Sequence, residues 1–277
     1  MKRSITRFLS ICIFLSVPSF INGQNIEFAD SLFEAGDFLY ARVAYERLLF
    51  QGKEDVGLLL LKKSFCLKAE GKFEEAYTTL QRVDLFKESD SVRIKLYHEL
   101  ALDAYLARKF DQSISTLEEL HYYFPNESTS ISDALEILSL NQLAKWDAAK
   151  QKFEAFLSKY QLPDQDLYKK KNLPSLKNPT KAETLSYLIP GSGQLYAGYP
   201  GRAITSIVLQ GGLVVFTVYS FTNGYYLSGA FTGVGLFSLF YNGGAGQARD
   251  LAIKHNEKEF AEFNNKVKAA LSAVDKK

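Results

Sequence analysis

Residues 203–248 read AITSIVLQGGLVVFTVYSFTNGYYLSGAFTGVGLFSLFYNGGAGQA and contain no Asp, Glu, Lys or Arg. Arg202 is the only charged residue between Glu183 and Arg249. A soluble domain must bury such a stretch whole, whereas a bilayer needs about 20 apolar residues for each helical crossing. Two helices, 203–222 and 225–241, joined at Asn223-Gly224, fit the length. The stretch predicts a transmembrane helical hairpin, and with it a membrane protein.

The hairpin is rich in glycine. Gly211 and Gly212 lie at the centre of the first helix; Gly229, Gly233 and Gly235 lie in the second. The spacing Gly229-x-x-x-Gly233 lets membrane helices approach closely. Counting outward from the turn sets Gly212 level with Gly235, which suits a self-packed pair. Dimerisation between chains uses the same spacing, and the motif does not separate the two. Gln210, the strongly polar side chain near mid-span, is read as interhelical glue; a functional polar group is the other reading. The preceding run, residues 185–202 (LSYLIPGSGQLYAGYPGR), places Pro190 and four glycines among Tyr196 and Tyr199. It predicts a short interfacial or re-entrant element, because broken backbone at that depth must be satisfied by protein or water.

At the amino terminus, Lys2, Arg3 and Arg7 precede an apolar segment, Phe8 to Val17, and a junction at Gly23-Gln24. This is the pattern of a removable signal peptide over residues 1–23. Cys12 falls within it, so Cys66 stands alone in the remaining chain and no internal disulfide forms. The apolar neighbours of Cys66 make it a small core residue.

Residues 24–160 are charged and carry an internal repeat. Four segments share an aromatic, a small, and two apolar residues at offsets 0, 3, 7 and 10: Phe38-Ala41-Tyr45-Leu48, Phe73-Ala76-Leu80-Val83, Phe110-Ser113-Leu117-Leu120 and Trp146-Ala149-Phe153-Phe156. These offsets place the four side chains on one helical face. The starts lie 35, 37 and 36 residues apart. With Gly36-Asp37-Phe38 and Gly71-Lys72-Phe73 opening helices, the pattern resembles the tetratricopeptide repeat (TPR) family in its second helix. The first-helix Trp/Leu/Gly/Tyr series of that family is missing, and Pro125 and Pro163 match its closing proline only in outline. The resemblance implies stacked helix pairs with a concave surface that binds proteins or peptides. The first-helix positions that would line it are Leu61, Phe65, Lys68, His98, Leu102, Tyr105 and Asn141; most are apolar or aromatic, so packing in the core competes with partner binding.

Residues 161–183 begin with QLPDQDLYKKKNLPSLKNPTK and read as an exposed connector. Lys169, Lys170, Lys171, Lys177 and Lys181 suit anionic headgroups, at about 1 kcal/mol per Lys near a surface; solvation of a linker explains them equally. In the tail, residues 249–277, Phe260, Phe263, Val267, Leu271 and Val274 form an amphipathic helical stripe. Docking or self-association of this helix is expected over a free one, because isolated helices of this length are marginal in water.

The run Pro-Gly-Ser-Gly-Gln-x-Tyr-x-Gly at 190–198, the glycine-rich paired spans and Tyr241-Asn-Gly together resemble, over about residues 183–256, a small two-pass membrane domain of envelope proteins of uncharacterised role in Gram-negative bacteria. That resemblance implies a membrane location and no defined activity. The expected architecture is all-α: a TPR-like solenoid, the linker, residues 184–248 as interfacial loop and hairpin, and the amphipathic tail. A cleaved signal followed by two crossings places the repeats in the periplasm, at the inner membrane. The positive-inside bias of Lys169–Lys171, Lys177, Lys181, Arg202 and Arg249 points the opposite way, and a wholly cytoplasmic arrangement is the competing topology.

A net charge of +2 implies no nucleic-acid partner. His98 and His121 lack a second ligand at metal spacing, and no cofactor or catalytic grouping is expected. Gly191-Ser192-Gly193 lacks the hydrolase-elbow spacing. The expected role is a non-enzymatic scaffold that binds other envelope proteins or peptides and contacts membrane lipid. The alternative is an oligomeric membrane module, a channel or assembly accessory, regulated by its repeats.

Overall fold

The computed structural model describes residues 25–52 and 55–276; the expected signal segment, residues 1–23, lies outside the described residues. Among the described residues all regular elements are helical. The amino-terminal part forms α1 (Ile26–Glu34), α2 (Phe38–Gln51), α3 (Val56–Ala69), α4 (Phe73–Leu80), α5 (Asp90–Leu106), α6 (Phe110–Tyr123), α7 (Ser130–Gln142) and α8 (Trp146–Lys159).

Helices α2, α4, α6 and α8 each begin at the aromatic residue that opens a repeat segment. One joint explains the coincidence. Two places before the aromatic stands a residue with positive φ: Gly36 at 80°, Gly71 at 74°, Arg108 at 62° and Ala144 at 55°. This left-handed residue ends the preceding helix and lets the next N–H reach a carbonyl five residues back. The four bonds are Asp37 N to Leu32 O at 2.9 Å, Lys72 N to Leu67 O at 2.8 Å, Lys109 N to Ala104 O at 2.8 Å and Lys145 N to Leu140 O at 3.0 Å. The small repeat residues Ala41, Ala76, Ser113 and Ala149 then have no exposed surface at all. A larger side chain at any of them would push a neighbouring helix away.

Packing divides the chain into two units, Met1–Asp103 and Ala104–Lys277. In the first, α1 packs on α2, α2 on α3 and α3 on α4. Its core joins Tyr45, Leu48, Leu59 and Cys66 in one cluster and Leu60, Leu61, Leu80 and Leu96 in another. Burial pushes the Cys66 thiol up to about 11, the behaviour of an inert core cysteine.

In the second unit α6 packs on α7 and α7 on α8. Beyond them lie α9 (Pro179–Leu188), α10 (Ser192–Tyr196), α11 (Pro200–Thr222), α12 (Tyr226–Ser228), a π-helical segment (Gly229–Gly235) and α13 (Leu236–Leu271). The second helix of the expected hairpin does not stop at Tyr241, and the tail is no separate element. Glycines 243, 244 and 246 weaken a helix by about 1 kcal/mol each, yet no proline or left-handed residue interrupts the chain there.

The far end of α13 docks on the last repeat helices. Phe263, Val267 and Leu271 are buried against Ile137 and Leu140 of α7 and Phe153 and Phe156 of α8. Burying those three side chains stabilises the contact by about 5 kcal/mol. Trp146 lies 6.0 Å from the Phe260 ring and 5.5 Å from Phe263. The connector is strapped to the same helix. Lys177 N donates to Asn256 Oδ1 at 2.7 Å, Asn256 Nδ2 donates back to Lys177 O at 2.8 Å, and Ser175 N donates to Glu259 Oε2 at 3.0 Å. Lys169 pairs with Asp166, while Lys170 and Lys171 are exposed.

An alanine in the left-handed region is disfavoured by about 1–2 kcal/mol, and glycine gives back part of that as unfolded-chain entropy. Ala144→Gly is therefore expected to stabilise the full chain by about 0.5–1 kcal/mol, read as a shift of the denaturant midpoint in detergent. Ala149→Gly, on a helical and buried position, shifts it the other way.

Candidate binding cavity and the glycine-lined helix contact

In the first unit α1, α2 and α3 enclose a cavity of about 290 Å³ lined by Asp30, Phe33, Tyr45, Leu61, Lys62 and Phe65, among others. Its polar corner is one carboxylate shared by two donors. Asp30 Oδ1 accepts from Tyr45 Oη at 2.5 Å and from Lys62 Nζ at 2.7 Å. Burial, and then the adjacent Asp30 carboxylate, push the Tyr45 phenol far above its ordinary range, so it acts only as a donor. The cavity offers apolar walls with a charge-paired rim.

Two of the expected partner-binding residues, Leu61 and Phe65, meet in this cavity. Lys68 stands 4.9 Å above the Phe65 ring and pairs with Glu99. His98 and Leu102 are half-buried on α5. Tyr105 belongs to the second unit, where it meets Phe110 edge-on at 5.6 Å, and burial raises its phenol. Asn141 has no exposed surface. It donates to Asn264 Oδ1 at 3.0 Å and accepts from Tyr168 Oη at 3.0 Å, so its amide is engaged by α13 and the connector. Among the described residues no three of His, Cys, Asp and Glu group as a metal site.

The second unit contains an antiparallel pair, α11 against the π-helical segment and α13. Gly229 faces the Phe221 ring, and a Cβ there would lie 3.1 Å from it. At Gly233 a Cβ would lie 2.3 Å from Thr217 Oγ1, a distance no side chain tolerates. Gly235 meets only the carbonyl of Ala230 in its own arm, and Gly211 and Gly212 face open space. The helix contact therefore crosses Gly229 and Gly233 and then Gly244, whose Cβ would stand 3.1 Å from Gln210 Nε2. Gln210 is 3% exposed and donates to Ser206 Oγ at 2.9 Å and weakly to Phe240 O at 3.4 Å.

The Pro-Gly-Ser-Gly-Gln run is built for close approach. Gly191 takes φ 89°, and Ser192 Oγ bonds the carbonyls of Leu185 and Ile189 at 2.6 and 2.8 Å, closing α9. A Cβ on Gly193 would sit 1.9 Å from Ala182 O, so a side chain there would drive α10 off α9. Gln194 has no exposed surface; its Oε1 accepts from Ser186 Oγ at 2.9 Å and its Nε2 donates to Gly244 O at 2.8 Å. This glutamine ties α9 to α13. Gln194 stands in the Pro-Gly-Ser-Gly-Gln motif, but the motif assigns it no role, and Gly244 is not marked out by spacing. The one signal was an amide set among glycines, with a second glycine cluster 50 residues on.

No family model matches the chain, and neither a curated protein nor a solved structure matches it significantly. What stands is an all-α protein of packed consecutive helices, a build compatible with a helical-repeat fold. Its α11 is long and apolar enough to cross a membrane.

Asp103 supplies a pH-dependent element. Its carboxylate is fully buried, its two oxygens lack hydrogen-bond partners, and Lys68 Nζ lies 3.5 Å away. Burial outweighs the pull of Lys68 and raises it to about 6. A group raised in the folded state gives stability that is full below the unfolded value, about 3.9, and is lost as pH rises through about 6. Asp103→Asn removes that dependence. The variant is expected to exceed the parent by a few kcal/mol at pH 8 and to match it below pH 4, in denaturant titrations at the two pH values.

Proposed function

We propose that the chain is a non-enzymatic, membrane-anchored scaffold whose TPR-like repeats bind other exported proteins or peptides, with the repeats on the periplasmic side of the inner membrane. The observation that carries this reading is the outward face of α11. Only 11% of its most apolar window is buried, and Ile204, Val208, Val215 and Val218 are each more than half exposed. A core helix of a soluble protein would hide such side chains. Water disfavours them by about 1.5–3 kcal/mol apiece, and a bilayer accepts them. The antiparallel arm behind α11, with Leu227, Phe231 and Leu239 equally bare, supplies the second crossing. The cavity of the first unit is the partner site in this reading, with Leu61 and Phe65 as apolar contacts and the Asp30–Lys62 pair as polar ones.

A second reading, an oligomeric membrane module, draws on Gly211, Gly212 and Gly243, whose open faces leave room for a neighbouring chain. The two readings part on oligomer size in mild detergent.

High-speed centrifugation of lysate tests the anchor. The full-length chain is expected in the pellet, released by detergent and not by high salt, and a chain left in the supernatant overturns the proposal. Crosslinking in intact cells, repeated with Phe65→Asp, tests the partner site: the crosslinked set should shrink several-fold while membrane recovery stays constant.

A further inference from the structure

Helices α9 and α10 fold back on one another. The chain leaves Lys177 and Lys181, reverses at Leu188-Ile189-Pro190-Gly191, and returns to set Tyr196 beside the same lysines. Lys177 Nζ and Lys181 Nζ stand 5.5 and 5.3 Å from the centre of the Tyr196 ring, and Asn178 N donates to Tyr196 Oη at 3.1 Å. The tip of the reversal rests on α11, because a Cβ on Gly191 would sit 2.7 Å from both Ala203 O and Ile207 Cγ1. It rests on α13 as well, where Tyr241 Oη donates to Tyr187 O at 2.5 Å. Residues 184–201 carry no charge. Leu188 and Ile189, at the tip, are 74% and 65% exposed.

Two observations say what covers that tip. The first is that the carbonyls beside the break are met from within the protein: Ser192 Oγ serves Leu185 and Ile189, and Tyr241 serves Tyr187. Water would serve a turn in solution, whereas lipid offers no donor, so broken backbone at membrane depth requires internal ones. The second is depth, taken along three legs at about 1.5 Å of rise per residue. The tip lies about 8 Å past Arg202 at Ile207, about 10 Å past Lys181 at Leu188 and about 12 Å past Arg249 at Tyr241. All three stop short of the half-thickness of a hydrocarbon core, about 15 Å. Ile207, Val214 and Val218 share one face of α11. The tip meets that face at Ile207, and beyond it Val214 and Val218 are 47% and 58% exposed. Resting on the membrane reading above, we infer that α9 and α10 form a re-entrant wedge, with Leu188 and Ile189 among the acyl chains of one leaflet and Lys177 and Lys181 at its phosphates. Lipid is the occupant because the tip continues the bare face of α11 and its rim is aromatic and cationic, as interfacial anchors are. Glu183 at the same rim is neutralised by Arg249 at 3.6 Å.

A polarity-sensitive thiol label, placed by Ile189→Cys, Val214→Cys or Lys170→Cys in the full-length chain, tests the depth in vesicles of phosphatidylcholine and phosphatidylglycerol. All three positions are exposed, and the buried Cys66 makes the unsubstituted chain a labelling blank. The Ile189 label should be quenched at least about twofold more by bromine on the upper acyl chain than by bromine near its methyl end. The Val214 label, about 18 Å past Arg202 and so near mid-bilayer, should show the reverse order. The Lys170 label should respond to aqueous iodide alone. An Ile189 label reached by iodide and by neither bromine, beside a Val214 label quenched by lipid, overturns the wedge and spares the anchor. Strongest quenching of Ile189 by the methyl-end bromine also overturns the wedge, because it puts the tip at the middle of the bilayer. Should neither the Ile189 nor the Val214 label meet lipid, the anchor reading falls along with it.

Discussion

Everything in the second unit is organised by the continuity of α13. One helix, Leu236–Leu271, carries two faces of different chemistry in series. Near its start the residues are uncharged and the glycine surface receives Gln210 and Gln194. Near its end the amphipathic stripe seals the core of α7 and α8. A flexible join between those parts would let the apolar arm and the repeat helices of this unit move separately. The uninterrupted backbone makes them one lever, and Asn256, Glu259 and Asn264 fasten the connector and α7 along its length.

The amides do most of the specifying. Gln194, Gln210, Asn141 and Asn264 are each buried, and each bridges helices that are distant in sequence. Gln194 and Asn141 have both amide atoms engaged, and such an amide admits few alternative registers, because sliding one helix by a residue leaves its donor and acceptor unsatisfied. The apolar stripe alone would tolerate such a slip. The polar pairs therefore choose among the packings that hydrophobic burial permits.

The four repeat joints show how much of the fold was legible. The aromatic at the start of each second helix and the small residue three places on were readable from spacing alone. Gly36 and Gly71 announced their turns, since glycine adopts positive φ freely. Arg108 and Ala144 take the same conformation without a residue that advertises it, because the six-to-one hydrogen bond and the packing of the following aromatic impose it. The candidate partner residues divided for a similar reason. Leu61 and Phe65 face a cavity, whereas Asn141 is covered by a helix more than one hundred residues further along the chain, a contact no local pattern encodes.

By itself the amino-acid sequence determined the helical periods, the aromatic–small register of the repeats, and the confinement of charge to the two flanks of a glycine-rich stretch. These follow from side-chain volume, polarity and spacing, which act locally. Only the tertiary structure decided which glycines touch another helix, that the second apolar arm and the tail are one element, and that the Pro-Gly-Ser-Gly-Gln run turns back against α11. Those outcomes depend on which surfaces meet, and that choice is made by burial and hydrogen-bond satisfaction summed over distant parts of the chain.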